Sequence, residues 1–127
     1  MKKIIILVAI VLPLSAQDEG KYSQTMKDIG AAFTKVIKAL DAQTSRQDVA
    51  DGGAKLVALF KEVEAFWTMR GAADAIESSK NALAAAGELA DPQGIPAAKA
   101  ALGKLAAECK TCHAAHREKT ESGFKIK

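Results

Sequence analysis

Met26-Lys27-Asp28-Ile29-Gly30-Ala31-Ala32-Phe33-Thr34-Lys35-Val36-Ile37-Lys38-Ala39-Leu40 is the stretch that decides the fold class. Its residues Met26, Ile29, Phe33, Val36, Ile37 and Leu40 recur in steps of three and four, which makes one apolar helical face. The helix extends from about Tyr22 to Ala42, with Asp18 to Lys21 as a frayed polar start, and Asp41-Ala42-Gln43-Thr44 breaks the pattern. The same periodicity returns downstream. Ser45, three residues before Asp48, is a capping signal for a second helix. Its face runs through Val49, Leu56, Leu59, Phe60, Val63, Phe66 and Trp67, and Gly71 stops it. A third helix, about Ala73 to Leu89, is alanine-rich, with Ile76 and Leu83 as its larger anchors. Two prolines and a glycine punctuate Asp91-Pro92-Gln93-Gly94-Ile95-Pro96. Pro96 suits the first turn of a fourth helix that runs to about Lys119. That helix carries Leu102, Leu105, Ala106, Cys109, Cys112, His113 and His116 inward or nearly so. Four amphipathic helices joined by short turns imply an all-α, antiparallel four-helix bundle, and no strand is expected.

Composition agrees. The chain has 127 residues, 49% hydrophobic and 26% charged, which supports one domain with its own core. Its 26 alanines favour helix over strand and argue against a sandwich or barrel. Only six aromatic side chains are available to fill the core of four long helices. That shortage fits either a close-packed Ala/Leu bundle or a bundle in which a bound group supplies part of the volume. Gly30, one turn after Met26, would allow such a group to approach. Gly52-Gly53 marks a close helix contact or a kink.

The amino terminus reads as an export signal. Met1-Lys2-Lys3 is a positive n-region, Ile4 to Leu12 an unbroken apolar h-region, and Pro13-Leu14-Ser15-Ala16 a cleavage region. Residues 1–16 are therefore assigned to a signal peptide and 17–127 to the working domain, placed in a bacterial periplasm. The apolar run is short for a transmembrane helix, which makes an uncleaved tether the weaker reading. Without residues 1–16 the chain keeps 16 basic and 15 acidic side chains. No nucleic-acid partner and no lasting membrane insertion are expected of that balance.

Cys109-Lys110-Thr111-Cys112-His113 is C-x-x-C-H, the attachment motif of a c-type haem. Two thiols three residues apart project from one helical turn and can form thioethers to the two vinyl groups of one haem. The following histidine is carried under the ring, where its imidazole can bind iron. The motif consumes both cysteines of the chain and one of its two histidines. Three other readings exist. A thioredoxin-like pair wants a βαβ setting. A disulfide within one turn closes almost no loop. A zinc site of Cys109, Cys112, His113 and His116 would draw all its ligands from one segment, with Cys112 and His113 about 100° apart on the helix.

The second axial position of the iron decides the function. His116 lies one turn beyond His113 on the same side of the ring. Met26 is on the apolar face of the first helix. In an antiparallel bundle the start of that helix lies beside the end of the fourth, which sets Met26 at the level of His113. Met69, near the end of the second helix, is at a similar level, but its place beside Arg70-Gly71 disfavours a rigid inward orientation. Met26 is taken as the second iron ligand.

These features resemble the class II cytochromes c, four-helix proteins with C-x-x-C-H on the last helix. Cys109-Lys110-Thr111-Cys112-His113-Ala114-Ala115-His116-Arg117 is similar to that family's C-x-x-C-H-x-x-[YF]-R run, with Arg117 matching and His116 replacing the aromatic. Met26-Lys27-Asp28-Ile29-Gly30-Ala31-Ala32-Phe33 resembles the low-spin members, in which a first-helix methionine binds iron. Many members have an arginine four residues before that ligand, where this chain has Tyr22. The resemblance implies haem iron held by His113 and Met26. Histidine plus methionine saturates the iron and raises its potential. The expectation is thus a one-electron carrier and not an enzyme, exchanging electrons with redox partner proteins, with homodimers common in such bundles. The alternative is a five-coordinate, cytochrome c prime-like protein that binds NO or CO, with Met26 packed near the iron but unbonded.

Overall fold

The computed structural model describes residues 14–43 and 45–127, with side chains from Asp18 onward apart from Thr44. It is all-α in its body. Four helices, α1 (Leu14–Asp41), α2 (Arg46–Arg70), α3 (Ala73–Ala90) and α4 (Ile95–His116), precede a small hairpin of β1 (Arg117–Thr120) and β2 (Gly123–Ile126). The expected signal peptide lies outside the described residues as far as position 13, while residues 14–16 form the first turn of α1. Among the described residues no helix is long and apolar enough to cross a membrane.

The helix ends follow local chemistry. The Ser45 side chain accepts the Asp48 N–H at 3.2 Å and caps α2. Gly71 ends that helix in the left-handed region at φ 68°, where its N–H bonds back to Thr68 and Trp67. Pro96 occupies the first turn of α4, where a missing N–H costs nothing. The first helix begins earlier than its polar start suggests. Glu19 lies 2.8 Å from Arg70 at the end of α2, so a tertiary ion pair holds the expected frayed turn in helix.

Neighbouring helices run antiparallel, as cross-helix pairs show. Between α1 and α2, Glu19 meets Arg70, Tyr22 meets Trp67 and Thr25 meets Glu62. Between α3 and α4, Asp74 meets His116, Asn81 meets Glu108 and Glu88 meets Lys104. Leu56, Leu89, Leu105 and Val36, one from each helix, are the largest fully buried side chains and mark the core's centre.

The inward face of α3 is smaller than its sequence suggests. Ile76 and Leu83 are only partly buried, while Ala75, Ser78, Ser79, Ala82, Ala85 and Ala86 take the interior. Small side chains let α3 sit close to both neighbours. Gly53 on α2 completes the approach, since a Cβ there would collide with the backbone of Leu89 and Ala90. Gly52 likewise packs under the Val36 side chain on α1. The glycine pair therefore marks close contact on both sides.

The chain end departs from expectation. The fourth helix stops at His116, and residues 117–126 form an antiparallel hairpin in which Arg117 pairs with Ile126 and Lys119 with Phe124. The Lys127 N–H returns to the His116 carbonyl at 3.1 Å. Arg117 is already extended at φ −126° and ψ 134°, so the helical ladder ends there.

Candidate functional site

Packing is uneven around the four helices. The pairs α1–α2, α2–α3 and α3–α4 are in extended contact, whereas α1 and α4 barely meet. The seam between α1 and α4 opens into a cavity of about 1320 Å³. Small-molecule sites usually occupy about 300–1,000 Å³, so there is room for a large ligand. Met26 lines the cavity from α1, and Cys109, Cys112 and His113 line it from α4. All four expected site residues thus border one space.

Their chemical states suit that role. Both thiols are free and half-buried. Burial pushes the Cys109 thiol above its ordinary pKa. Burial also raises Cys112, with help from the nearby Asp74 and Glu108 carboxylates, to about 11. Both are therefore neutral thiols at physiological pH, unlike the activated thiolate of a disulfide-exchange pair. Burial, and then the Arg117 charge, hold the His113 imidazole below its usual pKa. It stays neutral, the form that binds metals.

The two remaining candidates turn elsewhere. Met69 is 83% exposed and faces solvent. The His116 Nε2 sits 2.7 Å from the Asp74 carboxylate, and its ring packs 4.6 Å from Trp67. His116 is thereby pinned between α2 and α3, turned to its neighbours on the bundle. Among the described residues no three His, Cys, Asp or Glu side chains converge as a metal cage.

The walls are apolar below and charged at the mouth. Ile29, Phe33, Phe60, Val63 and Ala82 line the interior. Tyr22 stacks on Phe66 with centroids 4.3 Å apart and accepts the Trp67 indole N–H at 3.3 Å. Trp67 itself is core rather than lining. Gly30 lines the cavity, and a Cβ there would meet nothing within 4 Å. The sequence reading missed two contributors. Asp74 orients His116 from 42 residues away, which no local pattern announces. The hairpin adds Phe124, Lys125 and Ile126 to the lining. A turn at Ser122-Gly123 before alternating Phe124-Lys125-Ile126 was the available signal.

Comparison with protein-family models, with curated proteins and with solved structures gives no match.

Proposed function

We propose that this chain is an exported, monohaem c-type cytochrome that carries single electrons in the bacterial periplasm, built as an antiparallel four-helix bundle of the class II, low-spin kind. The observation that carries this reading is that Cys109, Cys112, His113 and Met26 border one large cavity in the open α1–α4 seam. A cleft of that size, bordered by those four side chains, has room for a bound group. The donor set fits haem c and fits little else: two neutral thiols one helical turn apart, a neutral imidazole beside them, and a thioether on another helix.

Bound haem c would supply a one-electron iron couple. The chain's own residues do the rest. Cys109 and Cys112 would hold the group through thioethers, and His113 and Met26 would bind its iron. Ile29, Phe33 and Val63 give the cavity an apolar lining. The His116–Asp74 pair and the Trp67 ring against it fix the last turn of α4, which carries His113. With His113 and Met26 both on the iron, no position would be left for a substrate, which is why the reading is a carrier and not an enzyme.

The test is the absorption spectrum of the reduced, haem-loaded protein before and after carbon monoxide. A low-spin spectrum unchanged by the gas supports the carrier. A high-spin spectrum with prompt binding replaces it with the five-coordinate, gas-binding alternative.

A further inference from the structure

The mouth of the cavity has a composition that the haem reading does not require. Lys27 from α1, Lys110 from α4, Arg117 and Lys119 from β1 and Lys125 from β2 all line it and are all exposed. Only two carboxylates, Glu19 and Glu108, share that lining. Glu19 is taken up by Arg70 at 2.8 Å. On the cationic side, Lys125 is held by Glu118 at 2.8 Å. Lys27, Lys110 and Lys119 form no ion pair among the described residues. Residues 17–127 hold 16 basic and 15 acidic side chains, so this is local segregation of charge and not overall basicity.

An aromatic ring sits among these cations. Phe124 is 58% exposed, one of the few large apolar side chains left in solvent. The Arg117 guanidinium lies 3.9 Å from its centroid and steadies it. The hairpin register pairs Lys119 with Phe124 and Arg117 with Ile126, so all four residues share one face of the ribbon. Exposed aromatics inside a polar rim are where protein interfaces concentrate their energy. Three unpaired lysines are too few for a nucleic-acid surface, whose affinity grows with each phosphate neutralised.

We propose that the hairpin face and the adjoining cavity rim form a docking surface for an acidic patch on a partner protein, with Phe124 as the apolar anchor and Lys27, Lys110 and Lys119 as the steering charges. The inference deepens the electron-carrier reading by naming the surface of exchange, and for that purpose it rests on that reading.

The experiment maps backbone amide shifts of the full protein titrated with poly-L-glutamate at low ionic strength. The largest shifts are expected in residues 117–126 and beside Lys27 and Lys110. The Lys110→Glu, Lys119→Glu double variant is expected to weaken binding at least about threefold, as charge reversal at a docking rim does. Lys35→Glu with Lys99→Glu changes the net charge equally, away from the mouth, and is expected to leave binding within about twofold. Phe124→Ala is expected to weaken it without changing its salt dependence. Shifts spread evenly over all lysines, equal losses from both double variants, or tighter binding to phosphatidylglycerol vesicles than to poly-L-glutamate would overturn the proposal. The map does not depend on haem. A chain that leaves a haem-attaching host without covalent haem, yet still binds through the hairpin, would overturn the cytochrome reading and leave the docking surface standing.

Discussion

Trp67 on α2 donates its indole N–H to the hydroxyl oxygen of Tyr22 on α1 over 3.3 Å, with the two rings edge-on at 5.7 Å. The bond ties the end of α2 to the start of α1, where Tyr22 lines the cavity. It also explains how a phenol is tolerated there, since burying a hydroxyl without a partner is costly.

Burial pushes the Tyr22 pKa up to about 12; the Trp67 N–H, which favours the phenolate, offsets only part of that, and the Arg117 charge acts in the same direction. Tyr22 is the only tyrosine, so a phenolate absorbance titration reports it alone. The expected midpoint is about 12 in the folded protein and about 10 after denaturation. A pKa raised by folding gives stability that is complete below the unfolded value. It is lost as pH rises from about 10 through about 12, by roughly 2 kcal/mol. A folded midpoint near 10 would show that the phenol is not buried.

Gly53→Ala forces a methyl into the backbone of Leu89 and Ala90. Overpacking of this kind costs about 1–3 kcal/mol, here against the small gain in helix propensity that alanine brings. Urea denaturation of the variant is expected to show a lower midpoint. Gly87→Ala, at an exposed α3 position where a Cβ meets nothing within 4 Å, is the control and is expected to stabilise slightly.

Gly71→Ala puts a side chain at φ 68°. No neighbour lies within 4 Å of the added Cβ, so the loss is conformational alone. A destabilisation of about 1 kcal/mol is expected in the same denaturation experiment.

Met26→Ala and Met69→Ala separate the two methionines. Met26 borders the cavity, while Met69 is 83% exposed. In the haem-loaded protein, Met26→Ala is expected to admit carbon monoxide to the reduced iron and to lower the reduction potential, since a thioether ligand favours the ferrous state. Met69→Ala is expected to change neither. Equal effects from both would remove Met26 from its assigned role.

Much of this was legible in the sequence, for identifiable reasons. The periodic faces, the Ser45 cap, the Gly71 stop and Pro96 are local signals, and each lies where its chemistry operates. The C-x-x-C-H run and Met26 could be brought together from helix direction alone. What escaped is tertiary. Asp18 to Lys21 looks frayed unless Arg70 is known to wait opposite Glu19. The inward face of α3 is alanine and serine because Gly53 lets α2 press close, and hydrophobicity patterns weight Ile76 and Leu83 instead. The hairpin strands are four residues each and half charged, too short for periodicity to show against a preceding helix. The partners of His116 escaped because Asp74 and Trp67, which hold it, lie on other helices.

The central claim is that Cys109 and Cys112 carry a haem in the α1–α4 seam, and intact mass under denaturing conditions tests it most directly. The protein is exported from a host with the c-type maturation machinery, denatured, and treated with a thiol-alkylating reagent. The account predicts a chain heavier by the mass of one haem, with no alkylated cysteine, and with the added mass lost in the Cys109→Ser, Cys112→Ser double variant. A bare polypeptide mass with both cysteines alkylated, from cells that attach haem to a control cytochrome, would contradict it.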